Sequence, residues 1–211
     1  MPGYGKSPSQ PNLSIPRSVE LIDEELVSRG IEEVSIIGFS MGAWRALLLA
    51  LEGKTRVNAI VTLGGVAGYD PEHAVMLLGF AQTLRGSESL RHPQMEEVMT
   101  ARMLSPESAR NNPAAVAAAA GWLDWPNPES LADELEAMAV TLPCYDRLRN
   151  LRIPVLARVG ALDVATPVSL SQRIVDAIPG AKLEIVEGKG HALLLEDTEA
   201  TVASIVSFLG V

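Results

Sequence analysis

Four short apolar runs, each closing on glycine, constrain this chain more than any other feature: VSIIG (Val34–Gly38), VNAIVTLGG (Val57–Gly65), IPVLARVG (Ile153–Gly160) and KLEIVEG (Lys182–Gly188). Runs this short, rich in β-branched residues and nearly free of polar alternation, predict strands buried on both faces. Helical patterns separate them. Val19, Ile22 and Leu26 share one face ahead of a stop at Gly30, and the Ala- and Leu-rich stretch Met41 to Glu52 ends at Gly53. Thr166-Pro167 opens a helix carrying Leu170, Ile174 and Ile178, and Val202, Ile205, Val206 and Leu209 mark a last one. Strand and helix in alternation predict an α/β fold, a mostly parallel sheet flanked by helices on both faces.

The block from Val66 to Arg152 breaks the alternation. It offers no convincing strand but several helix starts, at Ser105-Pro106-Glu107, Asn112-Pro113 and Asn127-Pro128-Glu129. The expected organisation is therefore a core of residues 1–65 and 153–211, interrupted by a helical cap or lid insertion over 66–152. Met76, Leu77, Leu78, Phe80, Trp122 and Trp125 supply that insertion with apolar surface, suited either to packing or to a pocket wall.

Composition narrows the function classes. With 47% apolar and 20% charged residues the chain is globular, and a net charge of −9 leaves no basic stripe to neutralise phosphates, which argues against a nucleic-acid partner. Cys144 is the sole cysteine, so no intrachain disulfide forms, and no Cys/His metal cluster is visible; neither metal nor cofactor is expected. No run spans a bilayer and the start lacks a signal-peptide pattern, so the expectation is a cytoplasmic protein without a membrane partner.

The chemistry lies where the first run meets its helix. In GFSMG, Ser40 sits between Gly38 and Gly42 at a strand-to-helix junction. A serine hydroxyl becomes a nucleophile only when a base takes its proton and a sharp turn lifts it clear of the backbone, and such crowding favours small residues two before and two after it. The helix that follows aims free N–H groups at a developing oxyanion. An acid and then a histidine should follow at the ends of later strands. Asp163, in GALDVATP, follows the third run, and His191, in EGKGHALLLED, follows the fourth. All three fall at one edge of the sheet, where sites in open parallel sheets form. Glu196 is the rival orienter, but it falls where the last helix begins; Asp163 is preferred. His73 and His92 are read as surface residues and Cys144 as a buried thiol.

With these residues in place the chain resembles the α/β-hydrolase superfamily, in its lidded esterase, lactonase and carbon–carbon hydrolase branch. The stretches PGYGKS, GFSMGA, RIPVLARVGALDVATP and VEGKGHALLLEDTEA carry the resemblance, in the family's order. It implies Ser40 as nucleophile, His191 as general base and then acid, Asp163 as its orienter, and the Met41 backbone N–H as one oxyanion donor. It also implies strands ahead of PGYG and a loop there that holds the second oxyanion donor. The core here is N-terminally short of that pattern, so Gly3 or Gly5 is the candidate substitute donor and VSIIG becomes an apolar edge open to a homo-oligomeric partner.

The expected function is a serine hydrolase for a carboxylic ester, lactone or related carbonyl of a small hydrophobic substrate, working through an acyl-enzyme. The alternative is a non-catalytic or weakly active ligand-binding relative, or a truncated fragment. A dinucleotide-binding reading is disfavoured, because no GxGxxG follows a strand and PGYGKS lacks the spacing of a phosphate loop.

Overall fold

The computed structural model describes residues 2–211. Helix α1 (Ile15–Ser28) leads into β1 (Glu33–Phe39), α2 (Met41–Glu52) and β2 (Arg56–Leu63). Six α-helices and a 3-10 turn (Trp122–Asp124, between α6 and α7) follow without a described strand between them: α3 (Pro71–Leu84), α4 (Pro93–Met103), α5 (Pro106–Asn111), α6 (Pro113–Gly121), α7 (Pro128–Val140) and α8 (Tyr145–Leu148). The alternation then resumes with β3 (Val155–Gly160), α9 (Val168–Ala177), β4 (Lys182–Val186), α10 (Leu193–Glu196) and α11 (Thr198–Leu209).

The four strands pair in sequence order, all parallel. Adjacent residues on a strand point to opposite layers, and β2 and β3 show it. Ile60 and Val155 join the larger core with Trp44, Leu47 and Ile174 from α2 and α9, while Val61 and Leu156 face Ile205 of α11. β3 is buried throughout. β1 is not: Ile37 is 49% exposed, and only Gly38 of the strand is fully buried. The double burial expected for VSIIG therefore fails at this strand. Its one partner among the described residues is β2, and Ile37 stays outside the apolar cluster that Phe39, two residues on along the same face, joins with Ile205 of α11.

The proline-marked starts hold. Ser105, Asn112 and Asn127 each cap a helix, accepting a hydrogen bond from the amide three residues on. Two further starts of the same kind, Asp70-Pro71 and His92-Pro93, went unread; Asp70 and His92 cap α3 and α4, so His92 has a structural task beyond lying at the surface. The helical segment has its own small core, in which Ala81 and Leu84 of α3 meet Ala132 and Leu135 of α7. Among the described residues no helix is long and apolar enough to cross a membrane.

Candidate active site

Ser40 occupies the turn between β1 and α2 with φ 54° and ψ −122°, a left-handed conformation for a non-glycine residue that costs about 1–3 kcal/mol. Its neighbours enforce the turn. The Ser40 amide donates to Leu63 O at 2.9 Å, tying the turn to β2, and the Ala43 amide returns to Ser40 O at 3.0 Å. A Cβ on Gly38 would lie 2.6 Å from Ala43 Cα, so nothing larger fits there. Gly42 differs from expectation: a Cβ there meets no atom within 4 Å beyond its own helix, because that side of the turn opens into a cavity. The amide of Met41, first residue of α2, has no acceptor among the described residues, the state an oxyanion donor requires.

His191 and Asp163 meet across the ends of β4 and β3. The Asp163 Oδ2 to His191 Nδ1 distance is 2.7 Å, with both side chains essentially buried. A carboxylate there keeps the proton on Nδ1 and leaves the Nε2 lone pair free to act as a base. The other carboxylate oxygen, Oδ1, accepts from the amides of Ala165 (2.9 Å) and Thr166 (2.8 Å), which fixes the carboxylate plane. Phe39 lies against the imidazole, ring centroids 4.7 Å apart. Ser40 and His191 border the same cavity, yet the serine hydroxyl makes no hydrogen bond to the imidazole. Such contacts are often long in enzymes without substrate and tighten when it binds.

Several residues of the site escaped the sequence reading. Thr166, read there as a helix opener, places its hydroxyl 2.8 Å from Gly64 O, 3.0 Å from Asp163 Oδ2 and 3.0 Å from His191 Nδ1. Gly64, at φ 52°, passes so near that a Cβ would lie 2.8 Å from His191 Nδ1. The double glycine at the end of β2 was the available signal. Glu196 does not orient His191: its Oε1 accepts from the Gly190 amide (2.8 Å) and its Oε2 from the Ser105 amide (2.9 Å), joining the histidine loop to the start of α5. The Ala192 amide donates to Met103 O at 2.8 Å, so helical-segment contacts flank His191 on both sides.

Gly3 and Gly5 do not offer free amides. Gly3 N donates to Pro8 O (3.0 Å) within a turn of the N-terminal segment, and Gly5 N to Trp125 O (2.7 Å), where that segment lies along the loop before α7. That docking has a polar partner set below it. Tyr4 Oη donates to Glu134, and Glu134 also pairs with Arg45 at 2.5 Å, both charged side chains about nine-tenths buried. Arg45 Nε donates to Ser18 Oγ at 2.8 Å. Burial, with Glu134 beside it, raises the Tyr4 phenol well above its ordinary value, so it stays protonated and donates.

The cavity holds about 560 Å³. Ser40, Met41 and His191 form its floor, and Met76, Phe80, Met99, Leu131 and Met138 supply much of its wall from the helical segment. Among the described residues no cluster of three or more His, Cys, Asp or Glu side chains is arranged to hold a metal.

A parallel sheet between helices, a strained serine on a strand-to-helix turn, and a His–Asp pair on later loops at the same sheet edge define an α/β protein with a candidate site at the carboxyl edge of its sheet. A sequence profile described as the Alpha/beta hydrolase family matches residues 1–204, and the chain belongs to that family. Pimeloyl-(acyl-carrier protein) methyl ester esterase of Vibrio vulnificus (strain YJ016) is 26% identical over 216 residues, spanning 100% of this chain and 82% of that protein. Among solved structures, a hydrolase from Pseudomonas aeruginosa PA01 superimposes with TM-score 0.90 at 23% identity, over 100% of this chain and 77% of that one. A thermophilic esterase from Thermogutta terrifontis does so with TM-score 0.88 at 21% identity, over 99% and 77%. At these identities the two superpositions speak for the fold.

Proposed function

We propose that the protein is a serine hydrolase that cleaves a carboxylic ester, lactone or related carbonyl of a small, largely apolar substrate. The observation that supports this best is the convergence of Ser40, the free Met41 amide and the His191–Asp163 pair on one apolar cavity. In this reading His191 Nε2 takes the Ser40 proton as Oγ attacks the carbonyl carbon, and the Met41 N–H stabilises the oxyanion. The proton then passes to the leaving alkoxide, the C–O bond breaks, and an acyl-serine remains. Water attacks that ester, giving its proton to His191; collapse returns the proton to Ser40 and releases the acid. Asp163 holds the imidazole and stabilises its charged form, and the segment 66–152 acts as the cap that walls the acyl or alcohol group. The esterase name of the Vibrio relative agrees with this chemistry.

A fluorophosphonate probe tests it. Labelling at pH 8 that Ser40→Ala abolishes is the expected result, whereas absent labelling in a folded wild-type protein removes the hydrolase reading. The second reading, an α/β-hydrolase-like ligand binder, draws on two features: the Ser40 hydroxyl is not engaged by His191, and Gly3 and Gly5 spend their amides elsewhere. One missing oxyanion donor typically costs about 10²–10³ in turnover.

A further inference from the structure

The charges on the cavity wall do not cancel. Besides His191, the ionisable cavity residues with full charges are Arg45, Glu134 and Arg102. Arg45 and Glu134 neutralise each other in the buried pair, which leaves Arg102 as surplus positive charge in a chain of net charge −9. Among the described residues Arg102 has no carboxylate within ion-pair distance. Its surroundings make this informative. Arg102 precedes Met103, the last residue of α4, whose carbonyl accepts from the Ala192 amide next to His191; the backbone at Arg102 is thereby tied to the histidine loop, while its side chain, on an exposed residue, borders the cavity.

A second donor stands near it. Tyr69, on the loop after β2, lines the same cavity with its ring held between Trp44 (6.5 Å, edge-on) and His73 (5.9 Å). Its hydroxyl has no hydrogen-bond partner among the described residues. Burial pushes this phenol up to about 12 while the positive charge of Arg102 pulls the other way, so near neutral pH it is a protonated donor. Two donors without an acceptor among the described residues, both lining a cavity walled largely by methionine and leucine, are complementary to a small anion with several lone pairs.

The geometry points to a carboxylate subsite formed by Arg102 and Tyr69, which makes the substrate class esters or lactones that carry a free carboxylate near the scissile carbonyl. This deepens the hydrolase reading and rests on it. A guanidinium accepts a carboxylate through paired N–H donors, and a phenol adds one more; amide or methyl-ester analogues lose the charge and leave those donors unmatched. The carboxylate belongs on the acyl or on the alcohol side, and the test covers both.

Two matched pairs decide it: monomethyl glutarate against dimethyl glutarate, and acetoxyacetate against its methyl ester. The expected result is a higher kcat/KM for the monoacid in at least one pair. In Arg102→Gln that monoacid-to-diester ratio falls by about 10- to 100-fold, Arg102→Lys recovers part of it, and Tyr69→Phe lowers it by less. A wild-type preference for the diester in both pairs, or a ratio unchanged in Arg102→Gln, overturns the subsite. If none of the four esters is cleaved, fluorophosphonate labelling of Ser40 decides the hydrolase reading separately, and calorimetric binding of monomethyl glutarate tests the subsite. Binding at least tenfold weaker in Arg102→Gln then supports the subsite by itself, and equal or absent binding overturns it.

Discussion

At the scale of single residues, atoms that never touch substrate govern the His191–Asp163 pair. Gly64 is the sharpest instance. Gly64→Ala adds a methyl 2.8 Å from His191 Nδ1 at a position with φ 52°, so the imidazole must shift. Misplacement of a catalytic group by about 1 Å costs on the order of 10²-fold, and that fall in kcat is the expected outcome in a steady-state ester assay. Thr166→Val removes one hydroxyl from the same cluster while keeping the shape. It is expected to lower kcat by about threefold to tenfold, in line with a hydrogen bond worth about 1 kcal/mol. Cys144 behaves in the opposite sense: burial raises its thiol to about 11. Native protein at pH 8 should resist iodoacetamide, with modification appearing only on addition of denaturant.

At the scale of elements, the decisive contacts join the helical segment to the sheet. Glu134 of α7 binds Arg45, one turn beyond Ser40 on α2, and Tyr4 of the N-terminal segment completes the set. Removing one member of a buried pair strands the other charge, which costs about 3–5 kcal/mol, whereas an apolar replacement of both is far milder. Glu134→Leu is therefore expected to lower the melting temperature more than the double change Arg45→Met with Glu134→Leu, as read by calorimetry. Glu196 joins elements in the same way, since its two oxygens hold the histidine loop and the α5 N-terminus together. A segment fastened on both sides of His191 positions the cavity wall and the imidazole as one unit.

At the scale of the whole molecule, pH stability has an identifiable contributor far from the cavity. Burial favours the neutral form of Asp23, but the amides of Lys54 and Thr55, at 2.8 and 2.9 Å, outweigh it and hold the carboxyl below its usual range. A depressed folded value means a contribution fully present above the unfolded carboxylate range and lost as pH falls through the folded one. Urea unfolding of wild type and Asp23→Asn should thus converge in acid and diverge near neutral pH, with wild type the more stable. The amino-acid sequence by itself determined the strand–helix alternation, the capped helix starts and the order serine, acid, histidine. Apolar period, Pro and cap chemistry, and the crowding at Gly38 act over a few neighbouring residues and so are written locally. Only tertiary structure decided the burial of β1, which depends on what covers Ile37, and the duties of Thr166, Gly64 and Glu196. It also decided that Gly3 and Gly5 spend their amides on Pro8 and Trp125 and that Arg45 finds Glu134 while Arg102 finds no acid among the described residues. Each of these is a pairing between residues distant along the chain, and hydrogen-bond satisfaction and charge compensation depend on which groups folding brings within about 3 Å of one another.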